Sequence, residues 1–244
     1  MFLFFLCVLC DLGGEKALQM KTSYTFPVDA VLLLGPTGVG KSPLGDHLAR
    51  HGLAGRPCHH LDFGAELRAI AAGNCAPPEY TPDELDFISG VLERGLLLEN
   101  ERFALAGKII GLFLERNGFR KDHLLVLNGI PRHAGQARDI ARIADIRALV
   151  VLDCNADDVF CRLRNNVGGD RTDRADDHRE LVGKKLDIFR ERTAPLVAYY
   201  KERGCRIYRL DVTSDMTTEQ SYRKLSVLAA ADPPVALVAE PPQG

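Results

Sequence analysis

The chain has 244 residues, of which 46% are hydrophobic and 26% are charged, and its formal net charge at pH 7 is −2. This composition is typical of a soluble globular protein, and the near-neutral charge excludes a general electrostatic attraction to nucleic acid or to anionic membranes. The seven scattered cysteines do not form the paired C-x-x-C sets of a zinc ribbon, so the sequence predicts a reducing, cytoplasmic compartment.

The length predicts one main domain, at residues 21–231, rather than two independent ones. Residues 1–20 contain an apolar run that is shorter than the about 20 residues needed to span a bilayer, and we expect them to be dispensable or disordered. Residues 232–244 carry four prolines and are predicted to be a disordered tail.

Apolar runs alternate with helical periodicity along the chain. Strands are predicted at residues 28–34, 58–61, 124–127, 148–152 and 206–210. Helices are predicted at residues 41–50, 65–72, 82–94, 99–116, 135–143, 156–165, 176–203 with an interruption near Pro195, and 217–230. The alternation predicts an α/β fold in three layers, with a five-stranded parallel sheet covered by helices on both faces.

The strongest motif directly follows the first predicted strand. Residues 35–42 read GPTGVGKS and match the phosphate-binding P-loop consensus GxxxxGK[ST]. Its glycines let backbone N–H groups approach phosphate oxygens, Lys41 adds a full positive charge, and the hydroxyl of Ser42 is available to Mg²⁺. The motif predicts a site for the ATP phosphates at Gly35, Gly38, Val39, Gly40, Lys41 and Ser42. ATPases, GTPases, motor proteins and small-molecule kinases share this loop, so it does not identify the reaction.

Further motifs follow the P-loop in a specific order. Residues 62–68 read DFGAELR, residues 128–132 read NGIPR with Gln136 four residues on, and residues 171–177 read RTDRADD. The sequence TAPL at residues 193–196 precedes Tyr199 and Tyr200. From about Val28 to Ala229, this set resembles the adenylate kinase family of nucleoside monophosphate kinases.

The resemblance implies a role for each matching residue. Arg68 and Arg132 would hold the acceptor phosphate, and Phe63, Gly64 and Gln136 would lie at the acceptor base. Lys185 stands where the family has an arginine, which keeps the charge but loses the planar fork of donors. Arg171 and Arg174 would close over the reacting phosphates from a short lid at about residues 165–174, without a zinc site. The implied catalytic set is Lys41, Arg132, Arg171 and Arg174.

The implied activity is transfer of the γ-phosphoryl group of ATP to AMP or a related nucleoside monophosphate. ATP is the co-substrate and Mg²⁺ the cofactor, and the acceptor-binding helical part is at about residues 62–117. The implied partners are these small molecules, with no nucleic acid and no membrane, and the protein is expected to act as a cytoplasmic monomer.

Two further departures from the family pattern concern the site. Asn128 stands where the family usually has aspartate, which predicts weaker or differently arranged Mg²⁺ binding, because an amide brings no charge. Phe63 replaces a threonine and could stack on a base or fill its pocket.

Three alternatives remain open. The chain could be a nucleotide-binding protein of the same fold with weak or no transfer activity, or a kinase of a non-nucleotide acceptor. Its P-loop also looks like that of tRNA-modifying prenyl transferases and of some ATPases, but the sequence has no evident basic surface domain for RNA.

Overall fold

A computed structural model describes residues 25–74, 80–94, 102–169 and 179–234. Residues 1–20, residues 170–174 of the predicted lid and residues 235–244 lie outside these ranges. Asp232, at the start of the predicted tail, accepts a hydrogen bond from Arg206 (Nε to Oδ1, 2.5 Å), so this residue contacts the folded domain.

Five parallel strands form one sheet in the order β2-β3-β1-β4-β5. Their bounds are β1 Val28–Leu34, β2 Cys58–Asp62, β3 Leu124–Asn128, β4 Ala144–Asp153 and β5 Arg206–Asp211. The predicted five-stranded parallel sheet is confirmed, and its strand order places β3 directly beside the strand that leads into the P-loop.

Helices connect the strands. Their bounds are α1 Lys41–His51, α2 Phe63–Ala71, α3 Pro82–Arg94, α4 Phe103–Arg116, α5 Ala134–Ile140, α6 Ala156–Asn165, α7 Arg179–Ile188, α8 Leu196–Lys201 and α9 Thr218–Ala231. A π-helical turn at Phe189–Thr193 follows α7 and ends just before Pro195, where the sequence predicts the interruption. Within the described ranges, no helix is both long enough and apolar enough to cross a bilayer.

The period-two alternation of the strands divides the core between the two faces of the sheet. On β1, Val31 and Leu33 pack with apolar residues of α1 and α9, whereas Leu32 and Leu34 pack with those of α2, α3, α4, α5 and α8. Both faces are therefore covered, which confirms the predicted three layers.

β4 begins at Ala144, four residues before its predicted start, and α5 ends at Ile140 rather than at residue 143. The first residues of β4 pair with the start of β1, and the register then shifts so that exposed Arg147 is skipped. Its guanidinium bonds to Asp29 (Nε to Oδ1, 3.0 Å). This irregularity interrupts the alternation of apolar residues, which is why the sequence pattern marks only the second half of the strand.

Candidate functional site

The P-loop turns sharply between the end of β1 and the first residue of α1. Gly38 (φ 81°) and Gly40 (φ 104°) adopt left-handed conformations that favour glycine. A Cβ atom on Gly38 would lie 2.6 Å from a side-chain carbon of Leu163, so glycine is also needed there for space. The tight turn leaves the N-terminus of α1, with its partial positive charge, at the end of β1.

Lys41 is held against this turn. Its Nζ donates hydrogen bonds to the carbonyl oxygens of Gly35 (2.8 Å) and Pro36 (2.7 Å). The first turn of α1 contains no acidic residue. The ammonium charge therefore adds to that of the helix end, as a site for polyphosphate requires.

Arg162 supports the turn from α6. Its Nη1 donates to the carbonyl oxygens of Thr213 and Met216, both at 2.8 Å, and the side chain is buried. A Cβ atom on Gly40 would come within 3.2 Å of its Nη2. Arg162 thus ties the loop after β5 to the back of the P-loop.

Asp62 and Asn128 lie next to the P-loop because of the sheet register. They end β2 and β3, and the register pairs them directly across the two strands. Because side chains alternate along a strand, both point to the face that α1 covers, where Ser42 occupies the first turn of α1.

These three side chains form a hydrogen-bonded cluster. The hydroxyl of Ser42 donates to Asp62 Oδ2 (2.5 Å), and Asn128 Nδ2 donates to Ser42 Oγ and to Asp62 Oδ2, both at 3.1 Å. The other carboxylate oxygen of Asp62 accepts from the backbone N–H of Ala65 (2.9 Å) and caps α2. The expected neighbours Ser42 and Asn128 are therefore together, joined by a carboxylate that the motifs do not identify as a site residue.

Asp62 is held in its ionised form. Burial raises its pKa, but the hydrogen bonds from Ser42 and Ala65 and the charges of His60 and Arg68 outweigh this effect, so the pKa lies below its ordinary value. A negative charge therefore stands beside the P-loop hydroxyl at neutral pH.

Arg68 lies on the same edge of the sheet. It belongs to α2, and its Nη1 would be 3.5 Å from a Cβ atom built on Gly64, so the guanidinium folds back toward the start of the helix. Its charge is felt by Asp62. Arg68 is thus near the P-loop cluster, whereas its contact with an acceptor phosphate stays a prediction.

Arg132 follows β3 in a loop, and hydrogen bonds hold both its backbone N–H and its carbonyl group. Its N–H donates to Gln136 Oε1 (2.7 Å), and its carbonyl oxygen accepts from Thr193 Oγ1 (2.9 Å). The chain is therefore held between α5 and the π-helical turn, which sets where the Arg132 side chain starts.

Burial lowers the pKa of Arg132, and the like charge of Arg192 lowers it further. No carboxylate among the described residues forms an ion pair with Arg132. Two cationic side chains thus stand close together where the resemblance predicts an anionic phosphate.

Two of the residues expected to lie at the acceptor base have buried side chains. Phe63 is only 3% exposed and packs in the core with Leu61 and Leu67, because the start of α2 turns it toward the helix-covered face opposite α1. Phe63 therefore presents no open stacking surface in this conformation, which fits the alternative that its ring fills the pocket, and its contact with an acceptor base stays a prediction. Gln136 is 2% exposed and its side chain accepts a hydrogen bond from the Arg132 backbone, which helps to position that loop, and its contact with an acceptor base stays a prediction.

The remaining predicted site residues are not tested by these contacts. Lys185 lies in α7 and is partly exposed, and its contact with a substrate stays a prediction. Arg171 and Arg174 lie outside the described residues. Sequence patterns missed Asp62 and Arg192, although the alternation of β2 could have identified Asp62 once its pairing with β3 was known.

Several bacterial adenylate kinases are similar to the chain. That of Parvibaculum lavamentivorans is 28% identical over 191 residues, which covers 71% of this chain and 80% of that protein. The enzyme of Nitrobacter hamburgensis is 29% identical over 217 residues (83% and 95%), and that of Deinococcus radiodurans is 29% identical over 206 residues (80% and 93%).

Among solved structures, a gluconokinase from Sinorhizobium meliloti 1021 has a TM-score of 0.46 and 18% identity, covering 85% of this chain and 97% of that chain. No protein-family model matches the chain. The predicted resemblance is confirmed: the chain is similar to adenylate kinases over most of its length.

Proposed function

We infer that this phosphotransferase moves the γ-phosphoryl group of ATP to the phosphate of a nucleoside monophosphate, with AMP as the first expected acceptor. The observation that supports this proposal is the common location of the P-loop residues and two arginines at one edge of the sheet. Lys41 and Ser42 belong to the P-loop, and Arg68 and Arg132 follow the two neighbouring strands at the same edge of the sheet. A protein that only binds a nucleotide has no need for the second pair.

The reaction consists of one bond exchange. The bond between the γ-phosphorus and the oxygen that bridges to ADP breaks, and an oxygen of the acceptor phosphate forms the new bond, giving ADP and a nucleoside diphosphate. Little covalent work falls to the protein, so positioning and charge stabilisation supply the catalysis.

The chain's own residues fit those two tasks. The P-loop amides and Lys41 would bind the ATP phosphates, and the guanidinium of Arg132 would bind the acceptor phosphate through two parallel hydrogen bonds. Mg²⁺, held by oxygen atoms at the Ser42 cluster, would offset charge on the transferring group. Arg171 and Arg174 would complete the ring of cations from the lid, which by excluding water would favour transfer over hydrolysis.

A non-nucleotide phosphate acceptor is the second candidate. The burial of Phe63 and Gln136 favours it, since neither side chain offers an open surface to a base. Cytoplasmic location, which the cysteine pattern indicates, and a monomeric state, which the resemblance implies, stay predictions.

A panel of acceptors tests the proposal. ADP formation is measured with ATP, Mg²⁺ and each of AMP, CMP, UMP, GMP and dTMP, and with sugar phosphates as non-nucleotide acceptors. We expect one monophosphate to be preferred, and Lys41→Ala and Arg132→Ala each to abolish transfer to it. Arg138→Ala, at an exposed position of α5, is the matched control and should retain activity.

Three results would contradict parts of the proposal. Unimpaired turnover by Arg132→Ala would remove Arg132 from the site. Turnover only with the sugar phosphates would favour the second candidate. ATP binding without transfer to any acceptor would indicate a binding protein of the same fold.

A further inference from the structure

We propose that Asp62 supplies the carboxylate that holds Mg²⁺ beside the P-loop. The inference rests on the proposed function, because it concerns the metal that accompanies ATP. It names a residue on β2, whereas the resemblance leads to a carboxylate at position 128 on β3, where this chain has an amide.

The sheet register allows the carboxylate to come from β2 instead of β3. Asp62 and Asn128 are paired across β2 and β3 and point to the same face. Asp62 Oδ2 is 2.5 Å from Ser42 Oγ, closer than the 3.1 Å between Asn128 Nδ2 and that hydroxyl. The cluster therefore keeps one carboxylate next to the P-loop hydroxyl, on the neighbouring strand.

The donor set suits a hard cation. Mg²⁺ prefers oxygen ligands, keeps several of its waters and is usually bound through one or two carboxylates together with phosphate oxygens. Ser42 and Asp62 offer a hydroxyl and an ionised carboxylate in direct contact, and the amide of Asn128 is hydrogen-bonded to both.

A purely structural role for Asp62 would be that of a helix cap. Its Oδ1 accepts from the N–H of Ala65 at the start of α2, which accounts for one of the two oxygens. Oδ2 instead faces Ser42 and Asn128, neither of which the cap requires. Asparagine caps helices about as well as aspartate, so Asp62→Asn removes the charge and retains the cap.

The first experiment measures metal binding rather than turnover. Mn²⁺ binding to the complex of the full chain with ATP is followed by electron paramagnetic resonance, and ATP affinity is measured by calorimetry with Mg²⁺ and with EDTA. We expect Asp62→Asn to weaken Mn²⁺ binding about tenfold or more. In EDTA its ATP affinity should stay equal or increase, because a negative charge near the phosphates has been removed.

Moving the carboxylate from β2 to β3 by mutation provides the second test. The double variant Asp62→Asn with Asn128→Asp returns one carboxylate to the cluster on β3, and we expect it to recover most of the lost Mn²⁺ affinity. Asp46→Asn is the matched control, because Asp46 lies on α1, bonds His60 (Oδ1 to Nδ1, 2.8 Å) and is 64% exposed at its side chain. It should bind Mn²⁺ as the wild type does.

Either of two results would overturn the inference. Unchanged Mn²⁺ affinity in Asp62→Asn would show that the carboxylate does not hold the metal. An equal loss of ATP affinity with Mg²⁺ and with EDTA would indicate a structural role.

Failure of the proposed function gives a different pattern. If the wild type binds ATP more tightly with Mg²⁺, and Asp62→Asn abolishes that difference, the metal role stands even when no acceptor is phosphorylated. If the wild type binds no ATP in either medium, both proposals are wrong.

Discussion

Replacing Arg132 by methionine should remove activity and at the same time stabilise the protein without substrates. The guanidinium is largely buried, the like charge of Arg192 acts on it, and no described carboxylate pairs with it. Such a charge opposes folding until an anion binds. Methionine has a similar length and no charge, so it relieves this repulsion without opening a large cavity.

The two effects differ in size. Apolar replacement of a buried ion pair is often neutral or stabilising by about 1–4 kcal/mol, and for the single, partly exposed charge of Arg132 we expect a gain of about 1 kcal/mol. For a chain of this size, that raises the melting temperature by about 2–4 °C. Loss of two charge-assisted hydrogen bonds to the acceptor phosphate, at about 1.5–3 kcal/mol each, lowers kcat/KM by about 10²- to 10⁴-fold.

Thermal unfolding without ligands and the coupled ADP assay measure these quantities on the same preparations. Arg138→Met, at an exposed position of the same region, is the control and should change neither. A lower melting temperature for Arg132→Met than for the wild type would refute the reasoning, because it would mean that the charge of Arg132 is compensated in the folded protein.

Two further predictions concern stability in the layers around the site. Burial raises the pKa of Glu84, but its hydrogen bonds, first among them that from Lys108 (2.8 Å), outweigh this and lower it. The ionised Glu84 therefore contributes to the stability of the fold above the unfolded pKa of about 4.3, and this contribution is lost as the pH falls through the folded pKa. Glu84→Gln should destabilise by about 0.5–1 kcal/mol at pH 7 and by less at pH 3 in urea titrations, and an equal loss at both would exclude the ion pair as the cause. Gly45→Ala places a Cβ atom 2.2 Å from Nε2 of the buried His60 ring and should destabilise by about 1–2 kcal/mol, whereas Gly111→Ala, with open space around it, should stabilise by up to about 1 kcal/mol. Equal melting temperatures for the two alanine variants would contradict close packing of α1 on β2.

Local patterns were enough to predict the sheet and the P-loop. An apolar run such as Val28–Leu34 is a property of adjacent residues, and GPTGVGKS at residues 35–42 encodes its turn and the start of α1 within eight positions. The boundaries that failed are those where pairing overrides the pattern, as at the start of β4, where the register shift near Arg147 conceals half of the strand.

The composition of the site depended on contacts that are distant in sequence. The sequence showed Asn128 to be a departure from the family pattern. It did not indicate that Asp62, 66 residues away, supplies a carboxylate to the same cluster. That contact requires β2 to pair in parallel with β3 in one particular register. A shift of one residue would send the Asp62 side chain to the opposite face.

The sequence by itself determined that a phosphate-binding turn lies at the end of a buried parallel strand, because the apolar run and the glycines that form it are contiguous. Only the tertiary structure decided which side chains surround that turn. Strand register brings Asp62 to Ser42, and the packing of the π-helical turn against the loop after β3, through the bond from Thr193 to the Arg132 carbonyl, brings Arg192 near Arg132. Neither proximity is encoded in a local pattern, because each arises from how separate elements pack.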